Sequence, residues 1–290
     1  MNFALFIGCK IPRHLKHYET SARAVLERLG VSVTEIPAFN CCGYPMRNGD
    51  FDTFVLLSAR NLAIAEKRGL NIMTLCKCCF GSLKKVNHLL RTEAALRERI
   101  NKILGKEGLS YEGRTEVTHF LSVLRRDVGL ETIGERISLS YKGLKIATHY
   151  GCHALRPSDV MNFDDPVSPS LFDELVEVTG ARSVEWPLRL ECCGAPLMGI
   201  NDKLSVDLMK RKLQTARESG ADYLCVSCPW CQVQFDLAQA ALNGEVPKVP
   251  SLLFSQLLGK VMGIDDGTLG IKENRLDISG IQGYLSQEKA

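Results

Sequence analysis

Two short motifs constrain the fold of this chain more than any other feature of its sequence. They read Asn-Cys-Cys-Gly-Tyr-Pro at residues 40–45 and Glu-Cys-Cys-Gly-Ala-Pro at residues 191–196. On an extended strand neighbouring side chains point to opposite faces, so adjacent cysteines reach one partner only where the backbone turns sharply. The glycine after each pair permits that turn, and the proline two residues later restricts the exit. The fold must therefore accommodate two such turns.

The remaining cysteines repeat around these two motifs. Cys9 lies 32 residues before Cys41, and Cys152 lies 40 residues before Cys192. Each adjacent pair is followed, 34 or 35 residues later, by a Cys-x-x-Cys motif. Five cysteines thus recur in the same order at nearly constant spacing, which indicates an internal duplication. The repeated positions are Cys9, Cys41, Cys42, Cys76 and Cys79 in the first half and Cys152, Cys192, Cys193, Cys228 and Cys231 in the second.

The sequence around the cysteines predicts the same α/β unit in each half. An apolar strand ends at Gly-Cys, an amphipathic helix ends at Gly, and a second strand ends at Pro. A further helix follows each Cys-Cys-Gly, and a strand then leads into the Cys-x-x-Cys. Alternating strands and helices of this length favour parallel sheets, in which ligands lie at the carboxyl ends of the strands. We therefore expect five thiols to converge in each half.

This pattern divides the chain into three parts. We predict a first domain with a helical connection at residues 1–140, a second domain at 141–262 and a C-terminal tail at 263–290. The connection is predicted to contain one long polar-faced helix from residue 81 to 104 and a second helix between 116 and 129. The tail loses its hydrophobic periodicity, so we expect a flexible or partner-binding arm.

Composition excludes several classes of protein. Twelve cysteines among 290 residues are too sparse for a short secreted disulfide scaffold. A net charge of +3 without a dense basic stripe gives no reason to expect nucleic acid binding. No apolar run reaches the roughly 18 residues that span a bilayer, and the N-terminus lacks a signal-peptide pattern. We expect a cytoplasmic globular protein, where clustered cysteines are usually metal ligands or redox groups.

Several kinds of site could use these cysteines. Buried packing thiols are the simplest interpretation, and we assign Cys78 and Cys225 to it because neither recurs in the other half. Structural zinc takes four ligands, so a fifth thiolate per site would be surplus. The Cys-Pro-Trp-Cys at 228–231 suggests a redox dithiol, which leaves the other three repeated cysteines of that half unused. With Cys225 it resembles the start of a ferredoxin motif, but the fourth cysteine before proline is missing and the first half has Met73 in place of Cys225. More than four thiolates favour a cluster with several irons, in which adjacent cysteines supply one terminal and one shared sulfur.

Up to about residue 245 the chain resembles the CCG-domain proteins, and among them the HdrB family of heterodisulfide reductase subunits. The resemblance is carried by Cys-Phe-Gly-Ser-Leu at 79–83, by the stretch 149–159 and by Phe-Asp-Glu-Leu-Val-Glu-Val-Thr-Gly at 172–180. It implies that each half binds an unusual noncubane [4Fe-4S] cluster through its five repeated cysteines. It also implies a catalytic subunit that reduces a disulfide held between two clusters, in methanogens the coenzyme M–coenzyme B heterodisulfide.

The resemblance also implies partners and leaves polar candidates beside the clusters. Family members receive electrons through a small ferredoxin-like subunit, HdrC, which is fed by a flavin-bearing subunit, HdrA. The chain has no GxGxxG fingerprint for a nicotinamide or flavin of its own. His153, next to Cys152, is a candidate proton donor or a packing residue beside the site. Lys10 and Arg156 are candidates to meet an anionic substrate, with solvated surface charge as the alternative.

The sequence departs from the methanogen enzymes after both adjacent pairs, at residues 43–45 and 195–202. Two alternatives to the coenzyme substrate therefore remain. One is a related subunit of a sulfur-oxidation or sulfate-reduction pathway that acts on another sulfur compound. The other is an electron-transfer subunit without a substrate. An open cavity between the clusters would favour the enzyme, whereas a cavity filled by side chains would favour electron transfer.

Overall fold

Two parallel four-stranded sheets organise the chain, in a computed structural model that describes residues 1–242 and 248–287. The strands are β1 (Asn2–Phe6), β2 (Ser32–Glu35), β3 (Asn71–Thr74), β4 (Val117–His119), β5 (Ser140–Tyr141), β6 (Lys145–Thr148), β7 (Arg182–Val184), β8 (Tyr223–Val226), β9 (Ser251–Leu253) and β10 (Leu285–Ser286). The first sheet has the order β2-β1-β3-β4 and the second the order β7-β6-β8-β9. Every neighbouring pair within them is parallel.

Helices connect the strands and cover the sheets. The α-helices are α1 (Lys10–His14), α2 (Lys16–Arg28), α3 (Phe51–Lys67), α4 (Lys77–Thr92), α5 (Ala94–Leu104), α6 (Phe120–Ser122), α7 (Leu130–Glu135), α8 (Ser158–Met161), α9 (Leu171–Glu177), α10 (Asp202–Glu218), α11 (Pro229–Gln232), α12 (Gln239–Ala241), α13 (Phe254–Val261) and α14 (Asp266–Leu269). Two π-helical segments, Val123–Val128 and Val233–Ala238, follow α6 and α11. The predicted duplication of an α/β unit with parallel pairing is confirmed.

The connection between the halves differs from its prediction. The long helix is interrupted at Glu93, which separates α4 from α5. The segment expected to be a second helix begins instead as strand β4, which extends the first sheet beside β3. Its first residues, Val117 and Thr118, are β-branched and fit a strand better than a helix. Only the residues after His119 are helical.

The C-terminal segment, expected to be a loose arm, is folded against both halves as far as residue 287, with α14 packed on α2 of the first half. Strand β10 pairs antiparallel with β5. The carboxylate of Asp236 accepts hydrogen bonds from the backbone N–H groups of Arg275 and Leu276, both at 2.9 Å. The amide of Gln256 donates to Asn274 at 2.8 Å. Residues 288–290 lie outside the described residues, and the division at 140 and 262 stays a proposal.

The two halves meet directly at the loops that follow β3 and β8. The Tyr18 hydroxyl, on the buried face of α2, donates to the Leu75 carbonyl oxygen and lies 2.9 Å from Ser227 Oγ. Leu75 and Ser227 are equivalent residues, each one position before the Cys-x-x-Cys of its half. Helix α2 also packs against α13 of the second half. A single buried hydroxyl thus ties together the two loops that carry these motifs.

Within the described ranges, no helix combines the length and the apolar character that crossing a membrane requires.

We expect Tyr18→Phe to lower the free energy of unfolding by about 1–3 kcal/mol, because it leaves a buried carbonyl and a buried hydroxyl without their partner. Denaturant unfolding of the anaerobically purified protein measures the change. Tyr223→Phe is the matched control, since Tyr223 is also buried and, among the described residues, burial and nearby charges but no hydrogen bond act on its hydroxyl. Equal stability of the two variants would contradict this role for Tyr18.

Candidate metal centre

All ten repeated cysteines lie just beyond the carboxyl ends of parallel strands. Cys9 and Cys152 follow β1 and β6, and the adjacent pairs lie in the loops after β2 and β7. Cys76 and Cys228 follow β3 and β8 and are the N-cap residues of α4 and α11. This is the edge at which parallel α/β sheets bind ligands.

In the first half the sulfurs form a continuous chain of contacts centred on Cys41. The thiols of Cys42 and Cys9 and the backbone N–H of Gly43 donate to Cys41, and together they hold its pKa far below the usual range. Cys42 also contacts Cys79, whose pKa is raised by that contact, by Cys76 and by burial. A series of contacts between sulfurs therefore connects all five repeated cysteines of this half, in the order Cys9, Cys41, Cys42, Cys79 and Cys76.

The second half repeats the arrangement. Cys152, Cys193 and the backbone N–H of Gly194 donate to Cys192 and lower its pKa far below the usual range. Cys193 in turn contacts Cys231, which contacts Cys228. The same order of contacts arises in both halves because the same turn and the same strand ends position the cysteines.

The two sets of cysteines are contiguous at the junction of the halves. The sulfurs of Cys76, Cys78 and Cys228 all lie within 4.8 Å of one another, and all three residues are buried. Cys78, interpreted from sequence as a packing thiol, therefore lies between the two sites. Its sulfur is also 3.4 Å from Nδ1 of His153. Cys225 lies on β8, is fully buried, and its pKa is raised by burial.

The turns at the adjacent pairs require glycine for two separate reasons. Gly43 and Gly194 have φ values of +81° and +88°, which side chains disfavour. A Cβ at Gly43 would lie 2.8 Å from the Phe54 carbonyl oxygen, and a Cβ at Gly194 would lie 2.5 Å from that of Ser205. Each turn thus packs directly on the helix that follows it, which fixes the direction of both sulfurs.

His149 is a residue of the site that the spacing of the cysteines did not reveal. Its imidazole is fully buried beside Trp186 and Phe235, and neither ring nitrogen has a hydrogen-bond partner. One nitrogen lies within 4.8 Å of the sulfurs of Cys193 and Cys231. Burial lowers the pKa of His149 well below its usual value, so the ring is neutral with a single N–H. A buried polar group without a partner costs free energy, which a ligand at the thiols would recover.

Two buried lysines also face the second-half cysteines. Lys77 is 2% exposed and donates to the carbonyl oxygens of His149 and Tyr150, each at 2.9 Å. Lys212 is 1% exposed and donates to the carbonyl oxygens of Leu188 and Glu191. Burial lowers the pKa of Lys212 to about 8, opposed by the charges of nearby cysteines, so the ammonium persists at pH 7. These cations balance part of the charge that several thiolates would bring to the interior.

The polar candidates from sequence lie at different places. His153 bridges the halves, with Nε2 3.4 Å from the Tyr44 hydroxyl and Nδ1 at the Cys78 sulfur. Burial lowers its pKa, so the ring is neutral near pH 7. The ammonium of Lys10 lies 4.1 Å from the centre of the Trp230 ring, across the junction. Arg156 is exposed and outside this group.

The donor set fits a large anionic metal group in each half. Five soft thiolates per half suit iron–sulfur clusters. Glycines and backbone N–H groups lie beside the thiols in both halves, and the buried lysines lie beside those of the second. Gly8 adds to the fit, since a Cβ there would lie 2.9 Å from the sulfur of Cys79. The ligand sets themselves, five cysteines to each half, stay a prediction.

Comparisons with known proteins agree with this chemistry. The family described as the cysteine-rich domain (CCG) matches residues 3–84 and 146–236, one match in each half. The HdrB protein of the ferredoxin/F420H2-dependent CoB-CoM heterodisulfide reductase of Methanosarcina acetivorans is 35% identical over 94% of this chain and 93% of its own length. The 8-methylmenaquinol:fumarate reductase membrane anchor subunit of Wolinella succinogenes is 32% identical over 95% of this chain and 97% of its own.

A solved structure shares the fold. The crystal structure of a hypothetical protein from Helicobacter pylori matches 96% of this chain with a TM-score of 0.74 at 17% identity. The chain spans 52% of that protein. Together, the cysteine-rich domain match and the clustered thiols indicate iron–sulfur binding.

Gly194→Ala is expected to lower the iron and labile sulfide bound per chain by up to half, because the new Cβ displaces the turn that aims Cys192 and Cys193. Gly199→Ala is the matched control: its φ is +79°, yet no atom lies within 4 Å of the added Cβ. Metal and sulfide analysis of both anaerobically purified variants measures the effect. Equal loss in the two would show that backbone strain alone is responsible.

Proposed function

This chain belongs to the HdrB family of cysteine-rich CCG domain proteins, and from this we propose that it is the disulfide-reducing subunit of a heterodisulfide reductase-like complex. The observation that carries the proposal is the convergence of five thiols at the strand ends of each duplicated half. The similarity to the Methanosarcina acetivorans protein extends over nearly the full length of both chains, which supports the same role here.

We propose that two noncubane [4Fe-4S] clusters are bound, one in each half. The ligand sets are those predicted from sequence. They are Cys9, Cys41, Cys42, Cys76 and Cys79 for one cluster and Cys152, Cys192, Cys193, Cys228 and Cys231 for the other. When bound, such clusters supply single electrons and iron atoms that bind sulfur.

Under this proposal, side chains at the junction hold a small disulfide in place and shield it from solvent. Lys10, held over Trp230, places a positive charge where an anionic substrate would approach. His153 holds one N–H between Tyr44 and Cys78 and is the candidate to pass a proton to a product thiol.

Electrons must come from outside the chain, which carries no dinucleotide fingerprint. We propose a ferredoxin-like subunit of the HdrC type as the direct donor and a flavin-bearing subunit of the HdrA type behind it. The name of the Methanosarcina acetivorans relative includes ferredoxin, which supports a donor of this class. The heterodisulfide of coenzyme M and coenzyme B is the proposed substrate, with other small sulfur compounds as the alternative.

A second candidate function is electron transfer without substrate chemistry, and the packing of the junction favours it. Cys78, His153 and the Lys10–Trp230 pair lie at the junction of the two sets of cysteines, and the cavity that Cys78, His153 and Trp230 line there has a volume of only about 20 Å³. A filled junction was the feature expected of an electron-transfer protein. The similarity to a fumarate reductase subunit of Wolinella succinogenes supports the same alternative.

The cluster proposal predicts about eight iron atoms and about eight sulfides per chain after anaerobic purification. Cys193→Ala should reduce the iron to about half, because it removes a ligand of one cluster only. Cys225→Ala is the matched control, a buried cysteine of the same half that should leave the iron content unchanged. Zinc without labile sulfide in the wild-type protein would refute the proposal.

The two functions predict different responses to disulfides. Under the enzymatic proposal, the coenzyme M–coenzyme B heterodisulfide alters the electron paramagnetic resonance signal of the reduced, fully loaded protein, because a substrate sulfur binds beside the cysteines. The symmetric disulfides of each coenzyme are the controls for substrate identity. An unchanged signal with every disulfide, in protein that carries its full iron, would decide for electron transfer.

A further inference from the structure

The duplication allows the two sites to be compared residue by residue, and Lys212 has a neutral counterpart. Counting from the adjacent cysteines, Lys212 on α10 corresponds to Asn61 on α3. Asn61 Nδ2 donates to the carbonyl oxygen of Cys41 at 3.1 Å, and Lys212 Nζ donates to that of Glu191 at 3.1 Å. Both side chains hydrogen-bond to the turn that carries the adjacent cysteines of their own half. Only in the second half is the donor a charged group, the ammonium of Lys212.

His149 also has an apolar counterpart. It lies three residues before Cys152, and Phe6 lies three residues before Cys9. Phe6 packs against Phe39 with a ring distance of 5.2 Å, whereas His149 directs an unpartnered nitrogen toward two cysteine sulfurs. The second site thus has the imidazole N–H of His149 close to its cysteine sulfurs, at a position where the first site has the carbon ring of Phe6.

The buried cations of the described chain are concentrated at the second site. Three lysines are buried in the described ranges, and Lys260 among them pairs with the carboxylate of Asp266. The other two, Lys77 and Lys212, donate only to carbonyl oxygens. Lys77 belongs to the first half, yet it lines a small cavity together with Cys152, Cys192 and Cys228 of the second. Lys212 donates to the carbonyl oxygen of Glu191, the residue before Cys192.

Among the residues that the structure describes, the first site has no ammonium as deeply buried as those of Lys77 and Lys212; Lys10, next to Cys9, places its ammonium over the Trp230 ring instead. A groove beside Cys9 and Cys41 is lined by Arg23. That guanidinium forms ion pairs with Glu19 at 2.8 Å and Glu35 at 3.9 Å, so its charge is locally compensated. Cys9 is exposed to solvent.

We infer that the two sites are electrically unequal, and that the second-half site holds the cluster that accepts an electron first, with Lys212 and His149 setting this order. The inference rests on the proposed binding of one cluster in each half. Reduction adds one negative charge to a cluster, and a buried ammonium or an N–H directed at its sulfur stabilises the more negative form. The electron comes from the ferredoxin-like donor, and no covalent bond changes.

Solvent exposure acts in the opposite direction but is the weaker effect. Water at Cys9 also stabilises a more negative cluster, which raises the potential of the first site. Yet bulk water screens strongly, whereas a charge in the protein interior acts through a several-fold lower dielectric constant. Two buried ammonium groups therefore outweigh one exposed ligand.

Exchanging residues between the halves tests the inference with matched variants. Redox titration of the fully loaded protein, followed by electron paramagnetic resonance, gives the midpoint potential of each cluster. In Lys212→Asn the higher of the two potentials should shift to more negative values while the lower stays unchanged. In Asn61→Lys the lower potential should shift to more positive values. His149→Phe should act as Lys212→Asn does, and Lys212→Arg should retain the wild-type potential.

The possible results separate this inference from the proposed function. Iron and sulfide analysis comes first: a wild-type chain without clusters refutes the proposed function itself. Full loading with a shift of the lower potential in Lys212→Asn, or with no shift in either variant, overturns the assigned order. If Lys212→Asn fails to fold, His149→Phe and Asn61→Lys decide the same question, because they alter the two sites independently.

Discussion

The fold depends on keeping ten cysteine sulfurs close together in a largely buried place. Thiolates at such distances repel one another, and burial penalises each charge further. Hydrogen-bond donors offset part of this repulsion, because the backbone N–H groups of Gly43 and Gly194 donate to the sulfurs of Cys41 and Cys192. Helix α4 begins at Cys76, so the positive end of its dipole faces the first site. The strand ends, the two glycine turns and the buried lysines all serve this single requirement.

The two duplicated halves share the same backbone arrangement but differ in the charged side chains around their cysteines. Both sheets have the same strand order, and both turns press a glycine against the following helix. The differences lie in side chains that contact these shared features, such as Lys212 in place of Asn61. A backbone that positions sulfurs tolerates little change, because a displaced turn removes two ligands at once. Side chains around it vary without moving the sulfurs, so they are where two equivalent sites acquire different properties.

The sequence predicted the parts of this structure that follow from local patterns. Repeated spacing located the cysteines at strand ends, and the glycine and proline positions located the turns. Strand β4 was missed because three residues give too short a pattern, and the helical residues after His119 dominated the segment. Lys77 and Lys212 were missed because lysines in amphipathic helices are normally solvated. Lys77 is buried only because the two halves pack together. The difference between His149 and Phe6, by contrast, is visible when the sequences of the two halves are aligned.

Whether the junction admits a substrate depends on how firmly its side chains are held. The contact of His153 with the Tyr44 hydroxyl is 3.4 Å long, near the limit for a hydrogen bond between nitrogen and oxygen. Its contact with Cys78, also 3.4 Å, is weak because a cysteine sulfur is a weak hydrogen-bonding group. The Lys10 ammonium is held over Trp230 by a ring contact on a flexible four-carbon stem. Interactions of this kind contribute about 1 kcal/mol each, so a bound disulfide can displace them at modest cost. The buried bonds of Tyr18, by contrast, are 2.9 Å long and fix the loops behind them. A rigid frame with weakly held side chains in front of the sulfurs is the arrangement expected where a small substrate enters between two fixed sites.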